Sequence, residues 1–180
     1  MTIKTATFET DRLRFRPYSR PDQDAFVQLM GDPDVMEHVA GGRLESAEAI
    51  ELFGKALQAC EEERMAVWAV ECLESGDFLG HAELKPSQQD DGLEIVYLLA
   101  KTAWGRGLGT EVARAVQEHA HQTLDCDRVV ATTAPDNRAS ERILERLGFE
   151  FVREWMEPDD DVMTRLWVSG SRRKTATPSD

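Results

Sequence analysis

Residues 93–124, LEIVYLLAKTAWGRGLGTEVARAVQEHAHQTL, constrain this chain more than any other stretch. The first eight are almost all apolar, which predicts a strand buried on both faces. Leu108, Val112 and Val116 then recur every four residues, the core stripe of an amphipathic helix. Between them stand Gly105, Gly107 and Gly109. A turn stripped of side chains at a helix start leaves its N–H groups free, and the helix dipole favours an anion there. The segment is therefore a candidate phosphate cradle. It is not a magnesium-nucleotide loop, because no Lys follows Gly109. It is not a dinucleotide fingerprint either, because Thr110 stands at the third glycine position.

The rest of the chain supplies a sheet around this unit. Residues 8–18 alternate, with Leu13 and Phe15 on one face and Arg12, Arg14 and Arg16 on the other, and read as one strand. A helix opens near Pro21 with Phe26, Leu29 and Met30 as its stripe, and a short helix is expected at 33–39. Ser46 opens a longer helix with Ile50, Phe53, Leu57 and Cys60 on one face. Strands follow at 66–73 and 78–86, joined by a Glu74–Asp77 hairpin turn. A strand at 128–134, a helix ending at Gly148 and two last strands complete the order. The fold class is α/β (α+β mixed sheet), a single domain over 1–168, with a low-complexity tail at 169–180.

Composition limits the functions open to the chain. A net charge of −13 over 180 residues excludes a basic nucleic-acid footprint and is compatible with a cationic substrate. No apolar run nears the ~20 residues that span a bilayer, and no signal peptide is visible, so a cytoplasmic setting is expected. Cys60, Cys72 and Cys126 form no CxxC pair and read as reduced thiols, and no metal-ligand spacing occurs.

The motifs resemble the GNAT superfamily of N-acetyltransferases. Gly107 and Gly109 match its Gln/Arg-x-x-Gly-x-Gly/Ala loop, with Trp104 at the Gln/Arg position. TDRLRFRPY and the later Asn137, Ser140 and Leu147-Gly148-Phe149 are similar to the branch of ribosomal-protein N-terminal and polyamine acetyltransferases. The resemblance implies a central mixed sheet, flanked by helices, splayed between the strands at 93–100 and 128–134. It implies acetyl-CoA as co-substrate. The pantetheine arm would lie along Tyr97 and Leu99, and the pyrophosphate on Arg106, Gly107, Leu108, Gly109 and Thr110, with Trp104 also among the cofactor-binding residues. Asn137 would bond the pantetheine arm, or simply cap its helix. Ser140 would meet the leaving thiolate, because Leu144 stands where many relatives carry a Tyr acid. A partner amine is implied, such as a protein N-terminus, a polyamine or a small molecule. A homodimer is compatible with this reading.

An ammonium acceptor must lose a proton, and Glu94 and Glu83 are the expected bases. Trp68, His38 and Met36 are candidate walls of the acceptor pocket. None of the cysteines has a motif partner, so direct transfer is expected rather than an acyl-cysteine. The alternative is a non-catalytic CoA-binding module or sensor.

Overall fold

The computed structural model describes residues 2–39, 41–157 and 162–170. An eight-stranded mixed sheet forms the centre. Its strands are β1 (Phe8–Glu9), β2 (Leu13–Pro17), β3 (Ala66–Cys72), β4 (Phe78–Pro86), β5 (Leu93–Leu99), β6 (Arg128–Thr133), β7 (Glu150–Met156) and β8 (Met163–Gly170). Their spatial order is β1-β2-β3-β4-β5-β6-β8-β7. Every pairing is antiparallel except β5 with β6, the pair joined by a helical crossover. The four α-helices are α1 (Gln23–Gly31), α2 (Ser46–Glu61), α3 (Leu108–Thr123) and α4 (Arg138–Arg146).

The sheet carries two apolar clusters. The larger one contains Leu93, Ile95 and Leu99 of β5 together with Leu108, Val112 and Val116 of α3. The smaller one gathers Phe26, Met30, Met36, Ala49 and Phe53 from α1, α2 and their connection, with Leu98 packed against it. Strand β5 thus turns alternate residues to two apolar environments, which is why its sequence is apolar nearly throughout. Trp68 is fully buried in the larger cluster and donates its indole N–H to the Ala6 carbonyl at 2.8 Å. Met36 is also core. Neither forms an acceptor-pocket wall.

Three local expectations change. Residues 8–18 are two short strands folded on each other, with Phe8 opposite Phe15. The Thr10 N–H donates to the Leu13 carbonyl, and Leu13 N–H to the Thr10 hydroxyl, so Thr10 makes the turn that the alternation concealed. No helix forms at 33–39, where turns follow Pro33 and the Asp32 carboxylate caps the Asp34 N–H at 2.9 Å. On α2 the buried residues are Ala49, Phe53, Ala56 and Ala59, while Ile50 is exposed. Three alanines let this helix lie close to the sheet, and the larger apolar side chains rotate to its flanks.

The final strand runs to Gly170, past the boundary expected at 168. The tail from residue 171 and the acidic run at 158–161 lie outside the described residues. Among the described residues no helix is long and apolar enough to cross a membrane. No group of His, Cys, Asp and Glu among them is placed to hold a metal ion.

One ion-pair network locks the entry to α1. Arg16 on β2 makes two bonds to Asp22, at 2.8 and 2.7 Å, and reaches Glu71 on β3. Burial alone would raise the Asp22 carboxyl, but Arg16 and Ser19 hold it down at about 2. The folded value lies below the unfolded one, so this stabilisation is complete above the ordinary carboxylate range and is lost as pH falls through about 2. Asp22→Asn should therefore cost about 2 kcal/mol at pH 7. The gap to wild type should narrow in urea titrations near pH 2.5. A constant gap would assign the effect to packing.

Candidate active site

Strands β5 and β6 are in register only at Leu93 with Val129 and Glu94 with Val130. Beyond Glu94 they part. Each keeps its other neighbour, β4 for β5 and β8 for β6, through the region of separation. One edge of β5 is thereby left open, with backbone groups that require partners. Ala100 donates its N–H to Leu79 before β4's glycine. Alternation along a strand then turns the Leu99 N–H the other way, into the gap. The Leu99 carbonyl accepts from the Trp104 indole at 2.7 Å. The indole thus closes the far end of the open edge.

The gap widens into a cavity of about 860 Å³. Tyr97, Leu98 and Leu99 form its floor. Trp104, Gly105 and Gly107–Thr110 form one end. One face of α4, from its cap to Arg146, and the turn at 34–39 form the two sides.

Gly107 is the N-cap of α3, at φ 75°, a left-handed conformation that other residues adopt at a cost. Gly105 shares it at φ 72°. The first N–H groups of α3 therefore face the cavity without side chains in the way. The turn between β1 and β2 holds this loop from behind. Arg12 donates to Glu111 of α3 through Nε at 2.7 Å and through its backbone N–H at 3.1 Å. Its Nη1 donates to the Arg106 carbonyl at 2.9 Å, and the Thr10 hydroxyl donates to Glu111 at 2.6 Å. Burial would raise the Glu111 carboxyl, but these donors hold it below its usual range. The TDR triplet is thus a clamp on the glycine loop. Arg106 contributes its carbonyl to that clamp and does not line the cavity.

Helix α4 presents the opposite side. Asn137 caps it, accepting the Ser140 N–H through Oδ1 at 3.1 Å. The Asn137 amide N–H groups stay available for a ligand. Ser140 lines the cavity beside Tyr97, whose buried hydroxyl has no hydrogen bond. Burial raises the Tyr97 phenol, and its neighbour Ser140 opposes that shift. Leu144 is fully buried and cannot reach the cavity. Arg138, Arg142 and Arg146 make this wall cationic, whereas Asp34, Glu37 and Asp136 make the mouth acidic.

Both carboxylates expected as bases lie off the cavity. Glu94 accepts from the Thr132 hydroxyl at 2.8 Å and so ties β5 to β6 where they begin to part. Glu83 on β4 bonds His81 Nε2 at 2.9 Å and Lys85 at 3.4 Å. Burial would raise Glu83, but His81 and Lys85 bring it to about 2, a poor proton acceptor at neutral pH. The sequence reading passed over Thr10, Arg12, Glu111, Asp136 and the three arginines of α4. Usable signals were the TDRLRFRPY motif, which holds Thr10 and Arg12, and the cationic row of arginines on one helix.

With this geometry in hand, the comparisons with known proteins converge. Residues 12–150 match the acetyltransferase (GNAT) domain family. YkkB of Bacillus subtilis is 30% identical over 155 residues, covering 83% of this chain and 90% of YkkB. The N-acetyltransferase YoaA of the same organism is 27% identical, covering 82% of this chain and 86% of YoaA. The structure of Mycobacterium smegmatis RimJ in complex with CoA-disulfide superposes with a TM-score of 0.76 at 15% identity, covering 92% of this chain and 85% of that one. The chain belongs to the GNAT acetyltransferase family, enzymes that use acetyl-CoA as acetyl donor.

Arg12→Met should weaken CoA binding several-fold while the chain stays folded, because the loop loses its brace and not its N–H donors. Calorimetric titration with CoA measures this. An unchanged affinity would show that the loop holds its shape unaided.

Proposed function

We propose that this enzyme transfers the acetyl group of acetyl-CoA directly to a primary amine, in a cytoplasmic setting. The observation that carries the reading is the open edge of β5 running to a left-handed glycine cap on α3. An extended amide arm can add to that edge as a strand would, and an anion can sit on the helix start. The residues present suit this donor. The Gly107–Thr110 N–H groups meet the pyrophosphate, and Arg142 and Arg146 offer positive charge on the adjacent wall. The Asn137 amide and the β5 edge hold the pantetheine arm. The Leu99 N–H faces the thioester oxygen and stabilises the charge that develops on it during attack. Ser140 offers a hydroxyl to the departing sulfur. A thiol with an ordinary pKa of about 8.5 leaves readily, so a hydrogen bond suffices without a strong acid.

The acceptor class follows from charge. Glu37 and Asp136 at the mouth, with Asp34 already paired to Lys101, favour a cation over an alcohol or an anion. A protein N-terminus, a polyamine and a small-molecule amine all satisfy that condition. No cysteine lines the cavity among the described residues. Cys60 accepts from Thr5, and Cys126 donates to the Arg128 carbonyl. Direct transfer therefore supports the reading better than an acyl-cysteine.

Acetyl-CoA and CoA should both raise the melting temperature, because they bind only the folded chain, and NAD should do so far less. Equal stabilisation by NAD would sink the proposal.

Ser140→Ala should keep its backbone cap on Asn137 and still fold. It should lose turnover by the equivalent of roughly 1–3 kcal/mol, with weak pH dependence. Thiol release from acetyl-CoA with a panel of primary amines reads this. Undiminished release would leave the sulfur to water or to Tyr97.

A further inference from the structure

Acetyl transfer to an ammonium needs a base at the cavity, and neither expected carboxylate is there. His81 is not available either. It is buried, with Tyr18 at 3.2 Å from Nδ1 and Glu83 at 2.9 Å from Nε2, so both ring nitrogens are occupied. One histidine does line the cavity. His38, in the turn after α1, is 28% exposed through its side chain. Its Nδ1 is enclosed and lies 3.3 Å from the Asp136 carboxylate, close enough to pair but without a formed hydrogen bond. Its Nε2 is 3.8 Å from Glu37, beyond hydrogen-bond reach. Asp136 directly precedes the cap Asn137, so the pair joins the acceptor side of the cavity to the helix wall that carries Ser140.

We propose that His38 is the base that deprotonates the acceptor, through Nε2, and that Asp136 is the positioning residue that keeps the other proton on Nδ1. The assignment rests on the acetyl-transfer reading above. A carboxylate this near one ring nitrogen favours the tautomer protonated there, a small ring rotation closing the hydrogen bond, and leaves the lone pair on the other. The acceptor ammonium gives one proton to Nε2, and the freed nitrogen lone pair forms the N–C bond. The C–S bond breaks with its electrons on sulfur, and the second nitrogen proton passes to that sulfur. Amide and free thiol result, and Nε2 returns its proton to solvent. The charged groups around His38 are Glu37 and Asp34 on its own turn, the latter paired with Lys101, then Asp136, and Arg138, Arg142 and Arg146 on α4. The acids and the arginines thus face the ring from opposite sides of the cavity.

The test combines two readouts on the full chain with CoA bound. Long-range nitrogen–proton NMR of the neutral His38 ring at alkaline pH should show the Nδ1–H tautomer, and Asp136→Asn should abolish that preference. An Nε2–H tautomer in wild type would overturn the proposal. In kinetics with spermidine and a short free-N-terminus peptide as probes, His38→Ala should lose tenfold or more at pH 7. The loss should shrink toward pH 9.5, where free amine is plentiful, and added imidazole should restore part of the rate. CoA affinity should be unchanged. A His38→Ala profile parallel to wild type, or the same pH signature in Glu83→Gln or Glu94→Gln instead, would overturn the assignment. A wild-type chain that binds no CoA would remove the acetyl-transfer reading, and the base role with it. Intact binding and turnover with an indifferent His38→Ala would remove the His38 assignment alone.

Discussion

Two strands that run parallel for two residue pairs and then separate set everything else in this molecule. A backbone edge cannot stay open inside a protein unless something else satisfies it. Here the separation is held on each side by full antiparallel ladders, β5 on β4 and β6 on β8. The Thr132–Glu94 hydrogen bond sits where the two strands part. The strands can therefore diverge without collapsing together, and the edge between them becomes a ligand surface. The cavity, the exposed helix cap and the wall of α4 are arranged around that single departure from regular pairing.

The glycine loop is braced against this framework from a distant part of the chain. Arg12 and Thr10 sit about a hundred residues before Glu111 and reach it across the end of the sheet. A loop rich in glycine loses more entropy on ordering than any other, so it needs external restraint to present its N–H groups in one geometry. The same logic explains Trp104. In place of a polar residue at the loop's start, the indole spends its one donor on the Leu99 carbonyl and covers the end of the strand with its ring.

Charge is divided across the cavity by the same scaffold. Arginines project along α4, and acids gather at the mouth from the turn after α1 and the turn before α4. A net charge of −13 gave no hint of this partition. The overall sign steers cations toward the protein, whereas the local distribution separates an anion-binding wall from a cation-accepting mouth.

The sequence by itself determined the parts that depend on neighbours along the chain. The buried strand, the glycine turn, the α3 stripe, the hairpin at Gly76 and the left-handed end of α4 at Gly148 each express a local period or a backbone requirement, and each could be read from residues only a few positions apart. Local patterns misled where a turn residue interrupted them, as at Thr10 and after Pro33, or where small side chains took the buried stripe, as on α2. Tertiary structure alone decided which polar groups meet. Glu94 and Glu83 looked like bases because they lie on or beside the central strand, yet one became a strut between strands and the other the partner of a buried histidine. Arg12 with Glu111, and His38 with Asp136, are contacts between residues about a hundred positions apart. No periodicity encodes them, because their distance is fixed by how the sheet and its crossovers close, and not by the chain between them.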